Sequence, residues 1–188
     1  MTATQPTKSQ QLERAEKFLV SLHQRISKDT GAKAELKRAL SGEERHLRNI
    51  YHLVLPYLGE VEWQQDVWIL VAALSAYYPQ DIRPEQRNFG FSCRNIDPSN
   101  DSGGADRRFR ALLDTSLTDI RSPLTNLVRQ MKSKGVRVDY PQLLVDLLQW
   151  EHSHQYIQDR WARTFWGAAP PDKGDLTNST AEPSNLTN

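Results

Sequence analysis

Basic side chains spaced among helical apolar positions are the residues of this chain whose type and spacing indicate chemistry. Residues 83–137 hold eleven Lys or Arg against six Asp or Glu, a local net charge of +5, although the whole chain carries only +1. A basic helical face binds a phosphate backbone by releasing counterions, which gives a steep salt dependence and little sequence preference. The pattern alone leaves two interpretations open, a polyanion-binding surface and a solvated helix face.

Residue types that catalyse reactions or hold metals form no recognisable motif. The pair His152 and His154 lacks the i, i+4 spacing that places two imidazoles on one helical face, and neither GxxxxGK[ST] nor GxGxxG occurs. The single cysteine, Cys93, has no histidine within thirty residues and is predicted to be a buried structural residue. We therefore predict no catalytic residue, no metal site and no cofactor. The five tryptophans, at positions 63, 68, 150, 161 and 166, are predicted to serve the core rather than to stack on bases.

The sequence favours a cytoplasmic protein that does not enter a membrane. A lone Cys93 cannot form an intramolecular disulfide, which fits a reducing compartment. The polar start of the chain lacks the apolar core of a signal peptide. The most apolar run, residues 67–78, is shorter than the roughly 20 residues that span a bilayer.

Apolar residues three and four positions apart predict an all-α fold, a compact bundle of two lobes with about eight helices. The first helix is expected over residues 10–28, and a capping box of Ser41 and Glu44 is expected to start a helix that extends to residue 54. Further helices are predicted to begin at Ser122 and after the cap Asp139, with Gly135 ending the first of these two. The expected organisation is an N-terminal lobe over 10–80, an irregular connecting loop over 81–105, a C-terminal lobe over 106–166 and a disordered tail over 167–188.

The order of motifs in the C-terminal lobe resembles that of a known family. RRFRALLD is followed by LVRQMKSKGVRVDYPQLLVDLLQW and RWARTFW, and the N-terminal lobe agrees through LKRAL, YHLVLPYL, VAALSAYYPQ and RNFGFSCRNI. This series is similar to the small subunit of the type I-E CRISPR Cascade complex, the CasB family. The resemblance implies an all-helical, non-enzymatic subunit of a crRNA-guided antiviral assembly. It would pack, as one of two copies, against the backbone and large subunits and steady the displaced DNA strand and the crRNA–DNA hybrid of the R-loop.

The resemblance assigns the role of phosphate clamp to eight basic residues. They are Lys37, Arg38, Arg94, Arg107, Arg108, Arg129, Lys132 and Lys134. The terminal helix is expected to serve packing more than binding, because Gln158 and Asp159 dilute the charge ahead of Arg160. A second hypothesis is a helical adaptor that binds only protein, with its basic residues paired to acids on a neighbouring subunit.

Overall fold

The computed structural model describes residues 7–58, 65–82, 87–99 and 103–167, and these residues form helices and connections without a β-strand. The predicted all-α fold is therefore confirmed. The α-helices are α1 (Lys8–Lys28), α2 (Thr30–Arg38), α3 (Glu44–Asn49), α4 (Tyr51–Val54), α5 (Gln65–Tyr77), α6 (Phe89–Arg94), α7 (Gly104–Leu113), α8 (Arg121–Lys134), α9 (Tyr140–Leu147) and α10 (Tyr156–Trp166). Short 3-10 helices follow α2 at Ala39–Ser41 and α4 at Leu55–Tyr57.

Helix α5 lies at the centre of the molecule. Every residue from Val67 to Ala76 is buried, including Ser75, whose hydroxyl donates to the Ala72 carbonyl at 2.9 Å. Its neighbours include α1, α2, α8 and α9, so its apolar surface has partners on several sides. From α9, the Tyr140 hydroxyl donates to the carbonyl of Tyr78 at 2.9 Å, just beyond the last turn of α5. The prediction of a buried helix in this run is confirmed.

Local capping explains where several helices begin and end. Thr7 and Gln10 form a capping box at the start of α1, two residues ahead of the predicted boundary. Gly135 ends α8 with a φ of 69°, a conformation that suits glycine, and Asp139 accepts from the backbone of Gln142 to start α9. Both of these predicted boundaries are confirmed.

Two local predictions about residues 41–54 are wrong. Ser41 does not cap α3; its hydroxyl accepts from the Glu43 backbone at 3.3 Å, and the helix begins without a side-chain cap. A break at Ile50, with φ of −102° and ψ of 1°, divides the expected single helix into α3 and α4. The connecting segment 81–105 is not irregular throughout, because α6 lies within it and buries Phe89, Gly90, Ser92 and Cys93. These differences bring the described part of the chain to ten α-helices rather than about eight.

One hydrophobic cluster includes side chains from both predicted lobes, among them Leu19, Trp68, Met131 and Leu144. The division into two lobes stays a prediction. Within the described residues, each helix is too short or too polar to cross a bilayer. Trp63 and the tail from residue 168 onward lie outside the described residues.

Candidate nucleic-acid interface

A groove between α7 and α8 brings together two of the predicted clamps. Arg108 of α7 and Arg129 of α8 line it, together with the polar side chains of Ser122, Asn126 and Gln130. Its volume is about 450 Å³. Both arginines are exposed, and the Nη1 of Arg129 lies 3.4 Å from the amide oxygen of Asn126 on the same helix. The groove is therefore a concave surface with a guanidinium group on each wall.

The three arginines around Phe109 have different surroundings. Arg110 pairs with Asp106, with 2.7 Å between its Nε and Oδ2, and its guanidinium lies 4.6 Å from the centroid of the Trp166 ring. The hydrogen bond from Arg110 lowers the pKa of the Asp106 carboxyl, so this local charge is largely neutralised. Arg107 and Arg108 are exposed and have no ion-pair partner within the described residues. They are the α7 cations that are available to a phosphate.

Two predicted clamps have structural roles at helix ends. Lys132 donates to the carbonyl of Tyr77 at 3.2 Å and lies 4.3 Å from the centroid of its ring, at the C-terminus of α5. Arg94 is half-buried and donates from Nη1 to the carbonyl of Gly167 at 2.7 Å, at the end of α10. Carbonyl groups in the last turn of a helix lack intrahelical donors, and basic side chains satisfy them. Lys132 and Arg94 therefore stabilise contacts between helices whether or not they also meet a phosphate.

The remaining predicted clamps are on α2 and α8, near opposite ends of α8. Lys134 is exposed in its last turn, whereas Lys37 and Arg38 are exposed in the last turn of α2. Arg121, in the first turn of α8, donates to the Ala39 carbonyl at 3.2 Å and so connects α8 to the end of α2. Thirteen residues of helix separate Arg121 from Lys134, about 20 Å. The eight predicted residues therefore do not form one compact cluster, and the two that line the α7–α8 groove are Arg108 and Arg129.

A buried polar network, which the sequence did not reveal, joins α9 to α10. The carboxylate of Asp146 is fully buried, and it accepts hydrogen bonds from Gln142 and from the Trp161 indole, each at 2.6 Å. It also pairs with Arg160, whose side chain is 32% exposed. Burial raises the pKa of Asp146 although these three groups donate to it. This network supports the expectation that the terminal helix serves packing.

The other candidate chemistry falls on buried or isolated residues. Cys93 is fully buried as predicted, and burial raises the pKa of its thiol well above the ordinary range. A thiol in that state is a poor nucleophile. The described residues hold no group of three or more His, Cys, Asp or Glu side chains that could bind a metal ion. Three tryptophans, Trp68, Trp150 and Trp161, are core residues as predicted, whereas Trp166 is 43% exposed.

Comparison with known proteins identifies the family. The sequence profile described as CRISPR-associated protein Cse2 matches residues 32–166. The chain is 28% identical over 147 residues to the CRISPR-associated protein Cse2 of Thermus thermophilus, a match that covers 77% of this chain and 83% of that protein. The crystal structure of M. ruber CasB superposes with a TM-score of 0.71 at 27% identity, covering 81% of this chain and 92% of the other. A chain of a CRISPR RNA-guided surveillance complex shares the fold, with a TM-score of 0.68 at 22% identity and coverage of 82% and 92%.

The family profile spans the exposed arginines of α7 and α8 and continues to the last residue of α10. The chain belongs to the CRISPR-associated Cse2 family, and this membership confirms its resemblance to the small subunit of type I-E Cascade.

Proposed function

We propose that this chain is a non-catalytic small subunit of a cytoplasmic crRNA-guided surveillance complex. In this role it binds nucleic-acid backbone and stabilises the R-loop and the displaced non-target strand. Its proposed protein partners are the backbone and large subunits and a second copy of itself. The structural match to a chain of a CRISPR RNA-guided surveillance complex supports the assembly. This role requires no catalytic step from the subunit, because the guide RNA recognises its target by base pairing.

The observation that carries the proposal is the pair of exposed arginines on opposite walls of the α7–α8 groove. Arg108 and Arg129 offer planar, permanently charged groups that suit phosphate oxygens. Exchanging a DNA duplex for a guide–target hybrid is nearly balanced in free energy. Even weak binding of the ejected strand by its phosphates therefore shifts the equilibrium toward the open state.

The proposal predicts a salt-dependent affinity of the full-length protein for single-stranded DNA. Each phosphate contact with a single strand contributes about 0.7 to the slope of log affinity against log salt concentration. The double substitution Arg108→Gln and Arg129→Gln should therefore reduce the magnitude of that slope by about 1.4. Fluorescence anisotropy with a labelled oligonucleotide, repeated at several salt concentrations, measures it.

A charge-matched control uses basic residues that are already paired. Lys17 contacts Glu13 and Arg48 contacts Glu44, each at 2.6 Å, and both cations are exposed. The double substitution Lys17→Gln and Arg48→Gln changes the net charge equally but should leave the slope nearly intact. Equal losses in both variants would show that bulk charge, not the groove, binds DNA. Negligible binding of the wild-type protein even at low salt would favour the protein-only adaptor and would overturn the proposal.

A further inference from the structure

A second cavity, separate from the α7–α8 groove, lies between α6 and the connection from α8 to α9. We call it the α6 pocket; its lining includes Arg87, Phe91, Asn95, Val136, Arg137 and Asp139. Its volume is about 360 Å³. This size falls within the range of about 300–1,000 Å³ that is usual for small-ligand sites. None of the eight predicted clamps lines it.

The wall formed by α6 and by Arg87, which precedes it, combines an aromatic ring with a guanidinium. The guanidinium of Arg87 lies 4.5 Å from the centroid of the Phe91 ring. Phe91 is half-buried and Arg87 is exposed, so the stacked pair borders solvent. Unpaired bases stack on aromatic rings and on guanidinium planes. This wall therefore suits a planar heterocycle.

The α8–α9 connection brings a second guanidinium, and Asn95 at the end of α6 adds a polar edge. Arg137 comes from the α8–α9 connection, and among the described lining residues the acidic one is Asp139, which accepts a hydrogen bond from the Gln142 backbone at 2.9 Å. The amide nitrogen of Asn95 donates to the Phe91 carbonyl at 2.8 Å, which leaves its Oδ1 without a partner among the described residues. A guanidinium has several N–H donors that suit phosphate oxygens, so the two arginines of the lining favour an anionic ligand. A planar ring with an attached phosphate meets both requirements.

Hydrogen bonds between distant segments hold the pocket in shape. Ser92 donates from its hydroxyl to the carbonyl of Arg137 at 2.7 Å, which ties α6 to the α8–α9 connection. The backbone N–H of Val138 donates to Oε1 of Gln80 at 3.0 Å. A site that is already formed loses less conformational entropy when a ligand binds.

The position of the pocket relates it to the proposed interface. Gly135 in its lining directly follows α8, the helix that carries Arg129 in the groove. Six residues of helical rise separate Gly135 from Arg129, about 9 Å. A strand that follows α8 from the groove would therefore reach the pocket within a short length.

We infer that the α6 pocket accepts one unpaired nucleotide of a single strand, with its base against the Arg87–Phe91 stack and its phosphate near Arg137. This inference rests on the proposed function and adds to it a contact with a base. Phosphate clamps alone do not sense whether a base is present. The pocket does, because an abasic nucleotide offers nothing to stack.

The test compares two labelled single strands of equal length, about 12 nucleotides. One is oligothymidylate and the other carries abasic sites throughout. Stacking of one base contributes between about 5-fold and about 150-fold in affinity. The full-length wild-type protein should therefore bind oligothymidylate more tightly by a factor in that range at matched salt. Phe91→Leu, which removes the aromatic face but retains an apolar side chain, should bring the ratio toward one without changing the salt slope.

A second pocket variant and a groove variant serve as controls for this test. Arg87→Gln alters the exposed half of the stack, so it tests the pocket even if Phe91→Leu fails to fold, as judged by far-UV circular dichroism. Arg108→Gln, in the groove, should weaken binding of both strands equally and preserve the ratio. Equal wild-type affinity for the two strands, or a ratio unchanged in both pocket variants, would overturn the pocket while the phosphate-binding proposal stands. No binding of either strand at low salt would overturn both.

Discussion

The close approach of α6 to α10 at Gly90 makes the effect of one methyl group predictable. A Cβ atom added at Gly90 would stand 2.9 Å from the carbonyl carbon and the Cα of Trp161, and closer still to the Trp161 oxygen. All three are backbone atoms of α10, so no side-chain rotation relieves the clash. Because the contact with the Trp161 oxygen is the shortest of the three, relieving it requires the two helices to separate by roughly 1 Å or more.

That separation would affect the polar contacts between these helices. Asn88 donates from Nδ2 to Oγ1 of Thr164 at 2.8 Å, and Arg94 donates to the Gly167 carbonyl at 2.7 Å. Lengthening by such an amount takes both beyond good hydrogen-bond geometry. Overpacking costs about 1–3 kcal/mol, and each lost hydrogen bond costs about 0.5–1.5 kcal/mol. Gly90→Ala should therefore lower the free energy of unfolding by about 2–6 kcal/mol.

Thermal melting followed by circular dichroism measures this effect. For a chain of this size, each kcal/mol shifts Tm by about 2–4 °C, so the expected decrease is roughly 4–24 °C. Gly135→Ala is the control, because an added Cβ there would meet nothing within 4 Å, although its φ of 69° disfavours alanine. That variant should lose only about 1–2 kcal/mol through backbone strain. A Gly90→Ala protein that melts at the wild-type temperature would refute the reasoning about helix separation.

Two further predictions concern buried polar groups. Asp146→Leu should lower the free energy of unfolding by about 3–5 kcal/mol in urea titrations, because the Trp161 indole N–H loses its partner and Arg160 loses its counterion. Asp146→Asn retains one acceptor oxygen and should cost less. Equal stability of the leucine variant and the wild-type protein would contradict the role of the network. Burial lowers the pKa of His23, whose Nε2 is buried without a partner among the described residues. As the pH falls, His23 of the unfolded chain therefore binds a proton at a higher pH than His23 of the folded protein. Stability should fall as pH drops below about 6.5, until the folded-state pKa is passed. His23→Gln should remove this part of the pH dependence, and an identical pH profile in the variant would contradict the assignment.

Most of the helical framework could be predicted from the sequence because its determinants are local. The stripe of α1, which includes Phe18, Leu19 and Leu22, is buried as the spacing predicts. Gly135 and Asp139 mark a helix end and a helix start through contacts within a few residues. The error at Ser41 is also local: its hydroxyl satisfies the backbone of Glu43 instead of the third residue of a helix. Ser41 could either cap a helix or close a turn with Glu43, and the structure contains the turn.

The candidate site was only partly predictable. Arg108 and Arg129 were both among the predicted clamps, but their shared groove depends on how α7 packs against α8. Arg94 was predicted from its charge, whereas the structure shows that it donates to the carbonyl of Gly167, 73 residues later in the chain and directly after α10. Gly90 stands between Phe89 and Phe91, a local pattern that does not indicate contact with a distant helix. Its role in helix packing becomes visible only when the backbone of Trp161 is in place.

The sequence by itself determined the helical class, the main amphipathic stripes and the family, because periodicity, caps and motif order are properties of neighbouring residues. It also showed that the middle of the chain is rich in basic side chains. The tertiary structure decided which of those cations stay available. Arg107 and Arg108 remain exposed, whereas Arg94 and Lys132 donate to the carbonyl groups of Gly167 and Tyr77. The physical reason is that a cation's availability depends on the acids and carbonyl groups that packing brings within hydrogen-bond distance, and these come from remote parts of the chain.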